Sequence, residues 1–165
     1  RDRPRLFDQK APLAPELAER HLRALLEALA ELHDEGRKHG DLYVNHVRLR
    51  PDGRILLRGE GLEAGEELDR ARHNPSMYAP ESIRGEPTTP ASDVWSVGVY
   101  AYWMLTGSLP FRAVGLPERL LEILRGEPAP LDPSLPPSLT AFTNRCLQRD
   151  PSDRFANARE ALAAL

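Results

Sequence analysis

Between Pro15 and Gly36 the apolar residues recur at helical intervals. Ala18, Leu22, Leu25, Leu29 and Leu32 share one stripe at heptad spacing, and Leu26 widens it. The pattern predicts an amphipathic helix, opened by Pro15 and stopped by Gly36. The period then changes. Val47 and Leu49 alternate with polar residues, Pro51-Asp52-Gly53 is a turn signal, and Ile55 and Leu57 alternate again. A small hairpin follows from this. It holds two polar loop segments near each other, His39-Gly40-Asp41 before it and Gly59-Glu60-Gly61 after it. Residues 62 to 78 are acidic and irregular, and read as a mobile surface loop without a core face.

From Thr89 to about Leu105 the chain predicts a second helix. Beyond its first turn it is apolar all round, which means burial on every side. Trp95, Tyr100, Tyr102 and Trp103 are therefore expected in the core. Pro117 opens a short helix, Glu118 to Leu124. Five prolines within residues 126 to 137 predict an extended connector. Ser138 is expected to cap a helix that carries Leu139, Phe142, Thr143, Cys146 and Leu147 on one face. A last Ala- and Leu-rich helix starts near Asn157. Residues 1 to 14 are charged, Pro-containing and aperiodic. They read as the lead-in to a domain, or the cut end of a longer one.

Composition narrows the picture. The chain has 165 residues, enough for one domain with a core, with 41% hydrophobic and 28% charged residues. The net charge is −3 and no basic patch of nucleic-acid type stands out. Cys146 is the single cysteine, so no internal disulfide can form, which fits a reducing compartment or an indifferent one. The longest apolar run, Val94 to Leu105, is shorter than the roughly 20 residues that span a bilayer. A cytoplasmic protein is expected. The abundance of Ala, Leu, Arg, Glu and Pro points to a GC-rich bacterial genome.

Five ordered groups of residues carry a resemblance: His39/Asp41, Ala79-Pro80-Glu81, Asp93-Val94-Trp95-Ser96-Val97-Gly98, Pro110-Phe111 and Arg154. At these separations they resemble the C-terminal lobe of a eukaryotic-type Ser/Thr protein kinase, across residues 15 to 165. The implied fold is mainly α, with one small β-hairpin. That family's catalytic loop runs His-Arg-Asp-Leu-Lys-x-x-Asn and its metal loop Asp-Phe-Gly. Here His39, Asp41 and Leu42 match. Gly40 replaces the Arg, Tyr43 the Lys and His46 the Asn, with Asn45 one residue early. Gly59-Glu60-Gly61 replaces Asp-Phe-Gly. The Gly-rich loop and strand lysine that hold ATP in the N-terminal lobe have no counterpart before residue 15. Either that lobe is absent or the chain is a fragment.

The resemblance makes Asp41 a vestigial candidate for the catalytic base, which accepts a substrate hydroxyl's proton. Equally, Asp41 caps its loop by accepting backbone N–H groups. Gly59 cannot offer a metal a side chain, and the imidazole of His46 is a poor ligand for Mg²⁺, which prefers oxygen donors. Glu60 occupies the position of a core-packing residue. His39, Asp41 and His46 match no standard zinc spacing. Gly59-x-Gly61-x-x-x-Gly65 lacks the apolar helix a dinucleotide loop needs. By resemblance Glu81 and Arg154 form a buried ion pair, Asp93 takes backbone donors from the His39-Gly40-Asp41 loop, and His39 is a packed structural residue.

The chain thus reads as a pseudokinase lobe, a protein-interaction or regulatory scaffold with no cofactor and no metal, and with no binding of ATP and Mg²⁺ expected. Its partner surface would be the acidic loop 62–78 or the helix at 117–124. An apolar face around the hairpin, left open without an N-terminal lobe, would favour a dimer or a complex. Two other readings remain. One is a residual phosphotransferase or nucleotide-binding enzyme using Asp41, completed by another domain or chain. The other is an inert structural remnant.

Overall fold

The computed structural model of the chain describes residues 5–58 and 75–165. Its first long element, α1, spans Pro15–Asp34 with Pro at the first helical position, where a missing N–H costs nothing. The stripe of Ala18, Leu22, Leu25, Leu26, Leu29 and Leu32 is buried, joined by His21 and Ala30. Gly36 ends the helix at φ +73°, the left-handed region that favours glycine. Its N–H donates to the His33 carbonyl at 3.0 Å, and that of Arg37 to Leu32 at 3.1 Å, so two orphan carbonyls are satisfied.

The hairpin follows as β1 (Val47–Leu49) and β2 (Ile55–Leu57), antiparallel, with Val47 opposite Leu57 and Leu49 opposite Ile55. Then come a one-turn helix α2 (Pro80–Ile83), α3 (Pro90–Thr106), α4 (Leu116–Arg125), α5 (Pro137–Cys146) and α6 (Ala158–Ala163). The architecture is mainly helical with one two-stranded sheet.

The centre is α3. Every residue from Ala91 to Leu105 is buried, as an all-apolar helix requires. It packs against α1, α5 and α6, and α1 in turn meets α6 and β2. The approach of α5 is close: a Cβ on Gly98 would lie 2.6 Å from the Cβ of Cys146. Among the described residues no helix is long and apolar enough to cross a membrane.

The structure departs from the sequence reading in several places. Within the aperiodic stretch 1–14, Leu6, Phe7, Ala11 and Leu13 pack on the core. Leu6 is fully buried, and Phe7 stacks on Trp103 with ring centroids 4.1 Å apart. Arg5 bridges to Arg48 beside the hairpin. Single apolar residues fill these gaps, so no period betrays them. Of the segment 62–78, residues 62–74 lie outside the described residues, but Pro75–Met77 form a 3-10 turn and are buried with Tyr78, which corrects the view that no core residue lies there. The short helix α2 gives no period either. Ser138 does not cap α5, which begins one residue earlier at Pro137 with no side-chain cap; a proline there needs no donor partner. Among the described residues the large exposed hydrophobics are Val114, Leu116 and Leu121, at and before α4, whereas Leu49 and Leu57 of the hairpin are half-buried.

Candidate functional site

The end of α1, the loop after it and the first turn of α3 are joined by one carboxylate. Asp93 is 2% exposed. Its Oδ2 accepts the His39 N–H at 2.7 Å and its Oδ1 the Gly40 N–H at 2.8 Å. Gly40 lies at φ +78°, which turns its N–H toward the acid. His33 adds a third donor, its Nε2 lying 3.0 Å from Asp93 Oδ2. Because the Ala158 N–H donates to His33 Nδ1 at 3.0 Å, the proton of that ring is on Nε2. His33 thus ties α1, α3 and α6 together. It went unread in the sequence; its place four residues after Leu29 on the apolar stripe is the signal that could have found it.

His39 is buried and spans the cleft. Its Nδ1 accepts the Asp41 N–H at 3.2 Å, and its Nε2 donates to the Arg58 carbonyl at 2.7 Å, beyond β2. Burial pushes the ring below the usual imidazole pKa, and the neighbouring Asp93 offsets this only in part. The other histidine of the loop, His46, folds back on Asp41. Its Nδ1 is 2.8 Å from the Asp41 carbonyl oxygen and 3.2 Å from Oδ2.

Asp41 itself is 5% exposed. Its Oδ1 accepts the Tyr78 hydroxyl at 3.1 Å, while Oδ2 faces His46. Among the described residues both carboxylate oxygens therefore face side chains, with no backbone N–H donor to either. Tyr78 was not foreseen, since it lies in an irregular segment whose partner is 37 residues away.

Away from the cleft, Arg154 and Glu81 make a two-pronged buried contact, Nη1 to Oε1 at 2.7 Å and Nη2 to Oε2 at 2.9 Å. The hydroxyl of Ser92 donates to Oε1 at 2.7 Å. Arg154 also donates to the carbonyls of Ala91, Gln148 and Arg149, and its guanidinium lies 5.1 Å from the Trp95 ring centroid. Burial alone would raise the Glu81 carboxyl, but the bonds from Arg154 and Ser92 outweigh it and hold the pKa below its ordinary value. Gly59, Glu60, Gly61 and Gly65 lie outside the described residues. Among those described, no group of three or more His, Cys, Asp or Glu side chains is arranged to hold a metal.

This arrangement has counterparts among known proteins. The family model of the protein kinase domain matches residues 3–164. The chain belongs to the protein kinase family. Its helices and hairpin correspond to a kinase-like C-terminal lobe. The human hormonally up-regulated neu tumor-associated kinase is 34% identical over 164 residues, which cover 94% of this chain and 23% of that protein. Serine/threonine-protein kinase PAK 4 of mouse is 35% identical over 147 residues, covering 84% of this chain and 24% of its own. Serine/threonine-protein kinase ppk11 of Schizosaccharomyces pombe is 30% identical over 139 residues, covering 81% and 45%. The chain thus spans less than half the length of these kinases. Asp41 and His46, the two residues read against the kinase catalytic loop, are in contact.

Proposed function

We propose that the chain is a pseudokinase lobe that does not transfer phosphate from Mg²⁺-ATP and acts as a protein-interaction or regulatory module. The carrying observation is the state of Asp41. Its Oδ1 accepts the Tyr78 hydroxyl, its Oδ2 lies 3.2 Å from His46 Nδ1, and the residue is buried, so neither oxygen faces an open approach. A general base needs a free oxygen within hydrogen-bond reach of the substrate hydroxyl. The donor set also fits Mg²⁺ poorly. His46 offers nitrogen where the family pattern has an oxygen ligand, Gly59 offers no side chain, and Tyr43 supplies no cation for a transferring phosphoryl group.

A partner surface suits α4. Val114, Leu116 and Leu121 are exposed there, at 90%, 41% and 51%. Such a patch is covered by a protein partner or by a second copy of the chain. A cytoplasmic setting and a bacterial source accord with the composition.

Calorimetric titration with ATP, with and without Mg²⁺, tests the first half of the reading. The expected outcome is no heat and no thermal stabilisation. Micromolar binding that requires Mg²⁺ would overturn it. Light scattering on the same samples tests the second half. A mass above the monomer that falls on Leu121→Arg supports self-association through α4.

A further inference from the structure

We propose that His46 is a phosphoryl-acceptor residue, its Nε2 taking a phosphoryl group from a donor that needs no metal. The argument begins with the proton. Both groups that His46 Nδ1 touches, the carbonyl and the carboxylate of Asp41, are acceptors, so Nδ1 carries the hydrogen. The lone pair is then on Nε2. That atom has no hydrogen-bond partner among the described residues and is not one of the buried orphan nitrogens, and the side chain is 27% exposed.

The other described histidines differ. His33 and His39 use both ring nitrogens, and His21 is buried with both enclosed. Only His46 among them presents an open nitrogen while a carboxylate oxygen, Asp41 Oδ2 at 3.2 Å, lies beside its other one; His33 also meets a carboxylate, that of Asp93, but has both nitrogens occupied. A carboxylate on the far nitrogen fixes the tautomer and raises the basicity of the near one. It also stabilises the cation that forms when the near nitrogen attacks. Tyr78 holds the second oxygen of Asp41 and so fixes the carboxylate in place.

The class of donor follows from the residue types the sequence supplies. Gly59 gives a metal no carboxylate, and imidazole is a poor Mg²⁺ ligand. The donor must therefore carry its own good leaving group, as acyl phosphates and phosphoramidate do. With phosphoramidate, the Nε2 lone pair forms the N–P bond. The P–N bond of the donor breaks, and its nitrogen, already protonated in the zwitterion, leaves as ammonia with the electron pair. The ring is left cationic, with Nδ1–H still on Asp41. No oxidant or further reactant is involved. The choice of donor rests on the proposed reading that Mg²⁺-ATP is not used; ATP titration tests that reading, and labelling of His46 tests the acceptor role.

The test incubates the whole chain with phosphoramidate near neutral pH and follows it by ³¹P NMR and mass spectrometry. One acid-labile phosphoryl group on His46 is expected, absent in His46→Gln. Asp41→Asn should slow its formation roughly ten- to hundredfold. Circular dichroism checks that each variant is folded. Label on other histidines in place of His46, no label at all, or an unchanged rate in folded Asp41→Asn would overturn the proposal. Should Asp41→Asn not fold, the position of the label in the wild-type chain decides.

Discussion

His21 is the residue that fits its surroundings least well. It lies on the buried stripe of α1, 4% exposed, and neither ring nitrogen has a hydrogen-bond partner among the described residues. An unsatisfied buried polar group costs about 1–3 kcal/mol. His21→Leu should therefore raise stability, by about 1 kcal/mol in a urea melt at neutral pH. A pH dependence goes with it. Burial holds the pKa of both His21 and His39 below the ordinary value near 6.5. As pH falls through about 6.5 the unfolded chain takes up protons that the folded one does not, so stability declines there and is level above it. In His21→Leu the decline should be shallower. A decline of equal slope in both proteins would show that His21 takes no part. His33, in the last turn of the same helix, was hidden for a different reason: its partners, Asp93 and Ala158, are 60 and 125 residues away.

At the scale of elements, α1, the hairpin and α3 were legible because each has a period or a continuous apolar run that only one structure can bury. The short elements were not. α2 has four residues, and the turn at Leu6–Asp8 has three, too few to show any period. Where α3 crosses α5, legibility fails for a geometric reason. Gly98 reads as an ordinary small residue, yet any Cβ there meets the Cβ of Cys146 at 2.6 Å and the Leu147 side chain at 3.0 Å. Cys146 Cβ is fixed to its backbone and no rotamer change moves it. Gly98→Ala should force the helices apart and cost about 1–3 kcal/mol, despite the better helix propensity of alanine. A thermal melt that shows Gly98→Ala unchanged or more stable would mean that α5 shifts without cost.

For the molecule as a whole, the Arg154–Glu81 contact joins α2 to the turn after α5, 73 residues apart. Resemblance brought these two residues together in the sequence, but the added grip of Ser92, Trp95 and three backbone carbonyls was not legible, since it comes from the start of α3 and the turn after α5, which only the fold brings together. Removing Glu81 leaves a buried guanidinium without its counter-ion. Glu81→Ala is expected to cost about 3–5 kcal/mol, read from denaturant unfolding. The pair Glu81→Leu with Arg154→Met, which removes both charges, should recover much of that loss. If the single and the double variant lose the same stability, the charges are not what the contact supplies. The site was half legible. Asp41, His39 and Asp93 could be read from their motifs, whereas the contacts of Asp41 with His46 and Tyr78 depend on the folded loop.

The packing of α6 against α1 has a consequence for how the chain is made. The Ala158 N–H reaches back 125 residues to His33, and Arg159 pairs with Asp34 at the same separation. During synthesis α1 leaves the ribosome early, but the surface it offers to α6 stays wet until α6 has emerged as well. At about 5–20 residues per second the wait lasts roughly 6 to 25 seconds. For that time the nascent lobe carries an open seam along its first helix, the natural place for a chaperone to hold it.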